Sequence, residues 1–302
     1  MSDLSLQEKL KEALSDFGIS QNRAAKEMGY SGSVLSQYIA GTYAGDTSSV
    51  EDAITKWIAR KTESAKKKHV AIIETTALKQ VERALRLAHD EADIALIVGD
   101  AGSGKTTSAT VYANDNPRTC ILIKCYGMSR RVLTNEIAKR LGLETYRVGF
   151  DRQVAAVAEN LRDTNMLVIL DEADSLREDA LEFCRRLVND LGESGLALIG
   201  LPTLAYRIQN LKNDHRQLES RIGVFLHVAG LGKNDATKIA KSIWDCDQEI
   251  INEIYKVSGK DTRQFVKILN RAQNIMAVNN EEKPNIDIID MASAMILKRG
   301  GF

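Results

Sequence analysis

Residues Gly99-Asp100-Ala101-Gly102-Ser103-Gly104-Lys105-Thr106 have the types and spacing to hold a chain of phosphates. Glycines let consecutive backbone N–H groups converge on one anion, and a helix that starts there turns the positive end of its dipole toward it. Lys105 has the reach for the outer phosphates, and the Thr106 hydroxyl is a ligand for Mg²⁺. The pattern G-x-x-x-x-G-K-[ST] is matched in full. Its flanks fit as well. Ile94-Ala95-Leu96-Ile97-Val98 reads as a buried strand and Thr106 to Ala113 as a helix. The expected phosphate-binding set is Gly99, Gly102, Ser103, Gly104, Lys105, Thr106 and Thr107.

Such a site needs an acid at the end of a second strand, and Met166-Leu167-Val168-Ile169-Leu170-Asp171-Glu172 supplies two. Asp171 is expected to complete the Mg²⁺ shell with Thr106. Glu172 is expected to polarise an attacking water, a task that belongs to a hydrolase and not to a small-molecule kinase. Three further segments follow, and arginines in the last two could reach a γ-phosphate. They are Leu196–Gly200 with the following Leu201-Pro202-Thr203, His215 to Gly223 before the run Val224–Val228, and Gly259-Lys260-Asp261-Thr262-Arg263.

The elements that must position these residues follow from the rest of the chain. Its 302 residues suit about two domains. With 41 basic and 41 acidic residues the net charge is zero, so any nucleic-acid surface must come from local segregation of charge. No apolar run approaches the ~18 residues that would span a bilayer, and Met1 to Lys11 lacks the character of a signal peptide. The chain is expected in the cytoplasm, with no membrane partner. Cys120, Cys125, Cys184 and Cys246 form no C-x-x-C pair, and His69, His89, His215 and His227 are scattered, so no structural metal site is expected. Short apolar runs alternate with amphipathic helices from residue 71 to 230, which predicts an α/β fold with a mostly parallel sheet. Residues 231–302 show helical periodicity only, with helices expected over Lys233–Trp244, Gln248–Val257, Thr262–Val278 and Asn285–Lys298. Residues 61–70 are basic and read as a linker or a fraying helix end.

Residues 1–60 look wholly helical. Ala25 is small where two helices must cross, and Gly29 suits a left-handed turn four residues on. Ser31 or Ser33 can cap a second helix whose Leu35 and Tyr38 face a core. Leu6, Leu10, Leu14 and Phe17 give a preceding helix, and Val50, Ile54, Trp57 and Ile58 a following one. This is a helix-turn-helix layout that resembles the phage Cro and repressor class. Gln37 is its only candidate for a bidentate base contact, so weak sequence readout is expected. Arg23, Lys26 and Tyr43 are placed for phosphate, which positions without specifying. A second basic group, Lys124 to Arg131 with Arg130 and Arg131 at its end, follows the run Cys120–Ile123, and Arg147 and Arg152 follow the next helix. These four arginines are candidates for DNA phosphates.

From about residue 70 to 300 the pattern resembles the AAA+ ATPases, which implies ATP and Mg²⁺ as ligands. It also implies a trans-acting arginine finger at Arg221, with Arg216 as runner-up, and a lid arginine at Arg263. Thr75 would line the adenine pocket. Leu201 falls where that family keeps a polar residue beside the attacking water, with Thr203 a poor substitute. Slow hydrolysis is therefore expected, below about 1 s⁻¹ in the resting state. The whole order of domains resembles the Mu-type phage transposition target-selection ATPases. That resemblance implies sequence-nonspecific binding of double-stranded DNA, homo-oligomeric filaments and delivery of the DNA to a transposase. Two alternatives stay open: a secretion- or signalling-type AAA+ ATPase whose helix-turn-helix binds protein, and an ATP-gated site-specific DNA regulator.

Overall fold

Five apolar runs become five parallel strands of one sheet: β1 (Ile94–Gly99), β2 (Cys120–Lys124), β3 (Leu167–Asp171), β4 (Gly195–Gly200) and β5 (Ile222–Val228), in the order β2-β3-β4-β1-β5. In this computed structural model the described residues are 5–68, 72–144, 149–210, 216–244, 246–281 and 283–296. The chain divides into two units, Met1–Ile72 and Ile73–Phe302.

In the second unit β1, β3 and β4 are buried along their whole length, as strands covered on both faces must be. Helices α5 (Thr76–Asp90) and α6 (Lys105–Asp115) lie on one face, their Val81, Leu85, Ala109 and Tyr112 packing on Ala95, Ile97 and Ile169. The other face carries α7 (Arg130–Arg140), α8 (Phe150–Leu161), α9 (Glu178–Cys184) and α10 (Pro202–Gln209), around Leu96, Val98, Val168, Leu170 and Leu198. A π-helical segment, Arg185–Leu191, continues α9, and a short α11 (Arg216–Ser220) precedes β5. His89 is buried, bridging Tyr112 Oη at 2.9 Å and the Asn165 carbonyl at 2.8 Å, a structural role rather than a ligand's.

Four helices close the unit: α12 (Lys233–Ile243), α13 (Gln248–Val257), α14 (Thr262–Asn279) and α15 (Ile286–Ala294). They share a core of Ile239, Ile251, Ile254, Phe265, Leu269 and Ile289. The last helix is shorter than its periodicity predicts, starting after the Asn285 cap and ending at Ala294. Lys298 lies outside the described residues.

The first unit has α1 (Leu6–Asp16), α2 (Gln21–Met28), α3 (Gly32–Ile39) and α4 (Thr47–Lys68). Ser5 and Glu8 form a reciprocal cap on α1. Gly29 ends α2 at φ 83°, a left-handed conformation that disfavours a side chain. The cap of α3 is Ser31, which accepts from Val34 N–H, while Ser33 lies inside the helix. Leu10, Ala25, Leu35, Tyr38, Ile54 and Trp57 form the core. Helix α4 runs on to Lys68 through most of the basic stretch, and residues 69–71, with His69, lie outside the described residues.

Candidate nucleotide-binding site

Lys105 is the first residue of α6, and its side chain folds back over the loop that precedes it. Its Nζ donates to the carbonyls of Gly99 (2.7 Å) and Asp100 (2.9 Å) and to Ser103 Oγ (3.1 Å). Burial pushes the Lys105 ammonium below its ordinary range, opposed by Asp171, Asp100 and Asp174. Gly102 and Gly104 take left-handed conformations, φ 85° and φ 98°, which lets the loop turn its N–H groups inward. A Cβ at Gly102 would also collide with the Asp261 carboxylate. The lid therefore meets the loop at Gly102, and the Thr262 N–H donates to the Gly102 carbonyl at 3.0 Å.

Thr106 Oγ1 donates to Asp171 Oδ1 at 3.3 Å, bringing the start of α6 to the end of β3. Burial pushes the Asp171 carboxyl above its ordinary range, with the Thr106 hydrogen bond opposing. A hydroxyl and a carboxylate side by side are hard oxygen donors of the kind Mg²⁺ takes when phosphates complete its shell. Glu172 follows at φ 57°, ψ 36°, a costly conformation for a residue with a side chain, and its Oε1 is 3.0 Å from Lys124 Nζ. The parallel register pairs Lys124 with Asp171, so the lysine at the end of β2 necessarily comes alongside the acids.

At the end of β4, Leu201 is engaged through its backbone, and its side chain is exposed. Its N–H donates to Asp174 Oδ1 at 3.0 Å. Arg207 holds the same turn through the carbonyls of Asp174 and Leu176, at 2.7 Å each. Arg263 is exposed on the first turn of α14, close enough for its charge to oppose that of Lys105. Thr75 caps α5, accepting from Leu78 N–H at 3.2 Å, and the next N–H, of Thr76, donates to the buried Asp235 of α12 at 2.9 Å. Thr107 is exposed beside Thr106.

Arg221 lies apart from these residues, 60% exposed, its Nη2 3.9 Å from Asp190 Oδ1. Asp190 in turn accepts from the buried Arg185, which also donates to Glu182 at 2.7 Å and to Gln217 of α11 at 3.0 Å. The side chain of Arg216 lies outside the described residues, as do Tyr146, Arg147 and His215.

The other basic candidates fall in two places. Arg130, Arg131 and Arg152 are exposed on α7 and α8, and Tyr126 is exposed on the segment before α7. Lys26 and Gln37 are exposed on the first unit, while Arg23 is paired with Glu27 at 3.5 Å. No local pattern in the chain points to the parts played by Asp174, Asp190 or Asp235. The one usable signal was for Lys124, a lysine ending a strand that parallel pairing sets beside an Asp-Glu pair.

A parallel sheet of this order, a phosphate loop after the interior strand β1, an acid pair after β3 and a helical lid are the arrangement of the AAA+ ATPase fold. The family described as "AAA domain" matches residues 88–208. The solved structure of the Aeropyrum pernix ORC2 protein, ADP form, has a TM-score of 0.56 at 18% identity, covering 72% of this chain and 67% of its own. The Thermotoga maritima RuvB Holliday junction branch migration motor gives 0.51 at 20% identity, covering 74% and 69%. These likenesses carry the fold.

Along most of its length the chain resembles the transposition B proteins of Mu-like phages. It is 27% identical over 265 residues to the "Mu-like prophage FluMu DNA transposition protein B" of Haemophilus influenzae, 84% of this chain and 91% of that one. It is also 27% identical over 271 residues to the "ATP-dependent target DNA activator B" of Escherichia phage Mu, 86% and 83%. Among the described residues no helix is long and apolar enough to cross a membrane.

Proposed function

We propose that this chain is an ATP- and Mg²⁺-dependent DNA-binding protein of transposition. In this reading it assembles as a filament on double-stranded DNA with little regard to sequence. It then delivers that DNA to a transposase and activates strand transfer. One observation carries the reading. The aligned share, 84% of the chain, exceeds the 230 residues of the second unit (302 minus 72), so the likeness to the transposition B protein runs into the amino-terminal helices.

Lys105 holds the outer phosphates, Thr106 and Asp171 hold the cation, and Glu172 polarises water. Mg²⁺, when bound, offsets charge that builds on the phosphates during transfer. Arg263 reaches the nucleotide from the lid and Arg221 reaches it from the neighbouring subunit. ATP thereby joins subunits, and loss of its γ-phosphate loosens them. Arg130, Arg131 and Arg152, with Arg147, face DNA phosphates, and many weak contacts per subunit sum along a filament. Leu201 offers the attacking water no polar side chain, so hydrolysis is slow until the transposase engages.

The test is fluorescence anisotropy of random-sequence duplexes with ATP, with ADP and without nucleotide, at one salt concentration. Tight, salt-sensitive binding that grows with duplex length and requires ATP supports the reading. Absence of binding in every state overturns it in favour of an ATPase whose helix-turn-helix binds protein. Strong preference for one sequence overturns it in favour of a site-specific regulator.

A further inference from the structure

At the ends of α7, α8 and α9 four side chains form a group that the nucleotide site does not use. Phe150, the first residue of α8, stacks on Phe183 of α9, with ring centroids 5.8 Å apart and planes 29° apart. The Arg131 guanidinium carbon lies 5.5 Å from the Phe150 ring centre, and that of Arg130 lies 6.0 Å from the centre of Phe183. Both rings are half-buried and both guanidiniums are exposed. Asp179 pairs with Arg130 (3.7 Å) and with Arg177 (3.3 Å). Among the described residues no carboxylate stands within ion-pair distance of Arg131. Asp179 therefore serves Arg130 and Arg177, while Arg131 is seated on the Phe150 ring without an acid partner among the described residues.

The seat matters chemically. A carboxylate that holds an arginine takes up its N–H donors and cancels its charge. A ring face holds the guanidinium plane and leaves the donors along its edge open to a phosphate. An arginine held in this way has already given up part of its rotamer freedom before DNA arrives. Phosphate contacts of this kind position a duplex without reading it, as nonspecific binding requires.

We infer that the stacked Phe150–Phe183 pair is a positioning platform that holds Arg131, and Arg130 together with Asp179, for the phosphate backbone of duplex DNA. The inference rests on the DNA-binding reading given above and adds two residues to it. Neither ring touches DNA: each acts through the arginine seated on it.

The experiment measures affinity of the full-length protein, with ATP and Mg²⁺, for a random-sequence duplex across a salt series. Variants are Phe150→Leu, Phe183→Leu, Arg131→Lys, and Arg130→Ala with Arg131→Ala singly and together. Each leucine variant is expected to weaken binding about three-fold, the size of an exposed cation–π contact, with the salt slope kept. Arg131→Lys, which retains charge and leaves the core untouched, is expected to lose about as much, because ammonium does not stack as guanidinium does. Each alanine variant is expected to lower the salt slope by about one. DNA-free ATP hydrolysis is unchanged in Phe150→Leu and Phe183→Leu.

If Arg131→Lys and the leucine variants bind as wild type while the alanine variants are weakened, the arginines matter but the platform does not, and the inference falls. If the double alanine variant also binds as wild type, this corner is off the DNA path and the inference falls while the DNA-binding reading stands. If the wild-type protein binds no duplex, that reading falls and takes the platform with it.

Discussion

Lys124 Nζ stands 3.0 Å from Glu172 Oε1, across the ends of two adjacent parallel strands. The carboxylate proposed to polarise water is thus engaged by a cation from the neighbouring strand. Lys124 also opens the segment that carries the exposed Tyr126 and leads to Arg130, so in the proposed reading a DNA phosphate bound at that corner would compete for the same ammonium. An exposed ion pair is a light restraint, and its removal is expected to raise DNA-free hydrolysis in Lys124→Ala about two- to five-fold. Glu172→Gln is expected to lower kcat by about 10²-fold or more with ATP binding retained. Steady-state phosphate release without DNA measures both. A fall in Lys124→Ala would mean that the lysine serves the nucleotide and does not restrain the acid.

The contact of lid and phosphate loop gives a second expectation. Asp261 accepts from Gln264 N–H at 3.0 Å as the cap of α14, and its carboxylate closes on Gly102. Asp261→Ala is expected to cost about 1 kcal/mol of stability, while Asp261→Asn, which caps as well, stays within a few tenths. Gly102→Ala is worse placed, combining a left-handed backbone with a collision, and is expected to weaken ATP binding about ten-fold or more. Urea unfolding and nucleotide titration separate the two effects. Equal loss in the alanine and asparagine variants of Asp261 would show that charge and not capping holds the lid.

What the sequence discloses here is local, and what it conceals is distant. The phosphate loop is eight consecutive residues, and the strands are runs of apolar residues too short for helices, so both can be read directly. Gly29 announces its turn through its own backbone. The bond from Leu201 to Asp174 joins residues 27 apart, and that from Thr76 to Asp235 joins residues 159 apart. No window along the chain holds both partners. The apolar side chain of Leu201 is legible in the sequence, whereas the hydrogen bond from its N–H to Asp174 is not. The π-helical turn at Arg185–Leu191 has no composition of its own, since it depends on where Arg185 finds its three acceptors.

That arginine underlies a third expectation. Arg185 is 3% exposed and joins Glu182, Asp190 and Gln217, while Asp190 also faces Arg221 at 3.9 Å. Arg185→Ala strands two carboxylates beside a buried gap and is expected to cost about 3 kcal/mol in urea unfolding. Arg185→Lys is expected to recover little, because one ammonium cannot serve three acceptors in the plane of a fork. Arg221→Ala is exposed and is expected to leave stability unchanged while lowering hydrolysis about 10³-fold. Mixing Arg221→Ala with Glu172→Gln should restore part of the activity if the finger acts between subunits. A mixture as inactive as its components would place Arg221 outside the neighbouring site.

The amino-terminal unit carries the fourth. Glu27 accepts from Trp57 Nε1 at 2.9 Å and pairs with Lys61 at 2.8 Å, and Lys61 lies over the Trp57 ring. The Lys61 hydrogen bond, followed by that from Trp57, lowers the Glu27 carboxyl from its ordinary 4.5 to about 2. A carboxyl whose value is depressed on folding stabilises the fold above its unfolded value and loses that effect as pH falls through the folded one. The contribution is thus whole at neutral pH, declines as pH falls below 4.5 and is lost as pH passes through about 2. Glu27→Gln keeps an acceptor for Trp57 but gives up the charge facing Lys61. Hydrogen exchange of the α2 and α4 segments in the full chain should be faster in Glu27→Gln at neutral pH, after correction for intrinsic rates. The gap should close as pH approaches 2. A gap that persists to the acid end would assign the effect to packing of the amide and not to the ion pair.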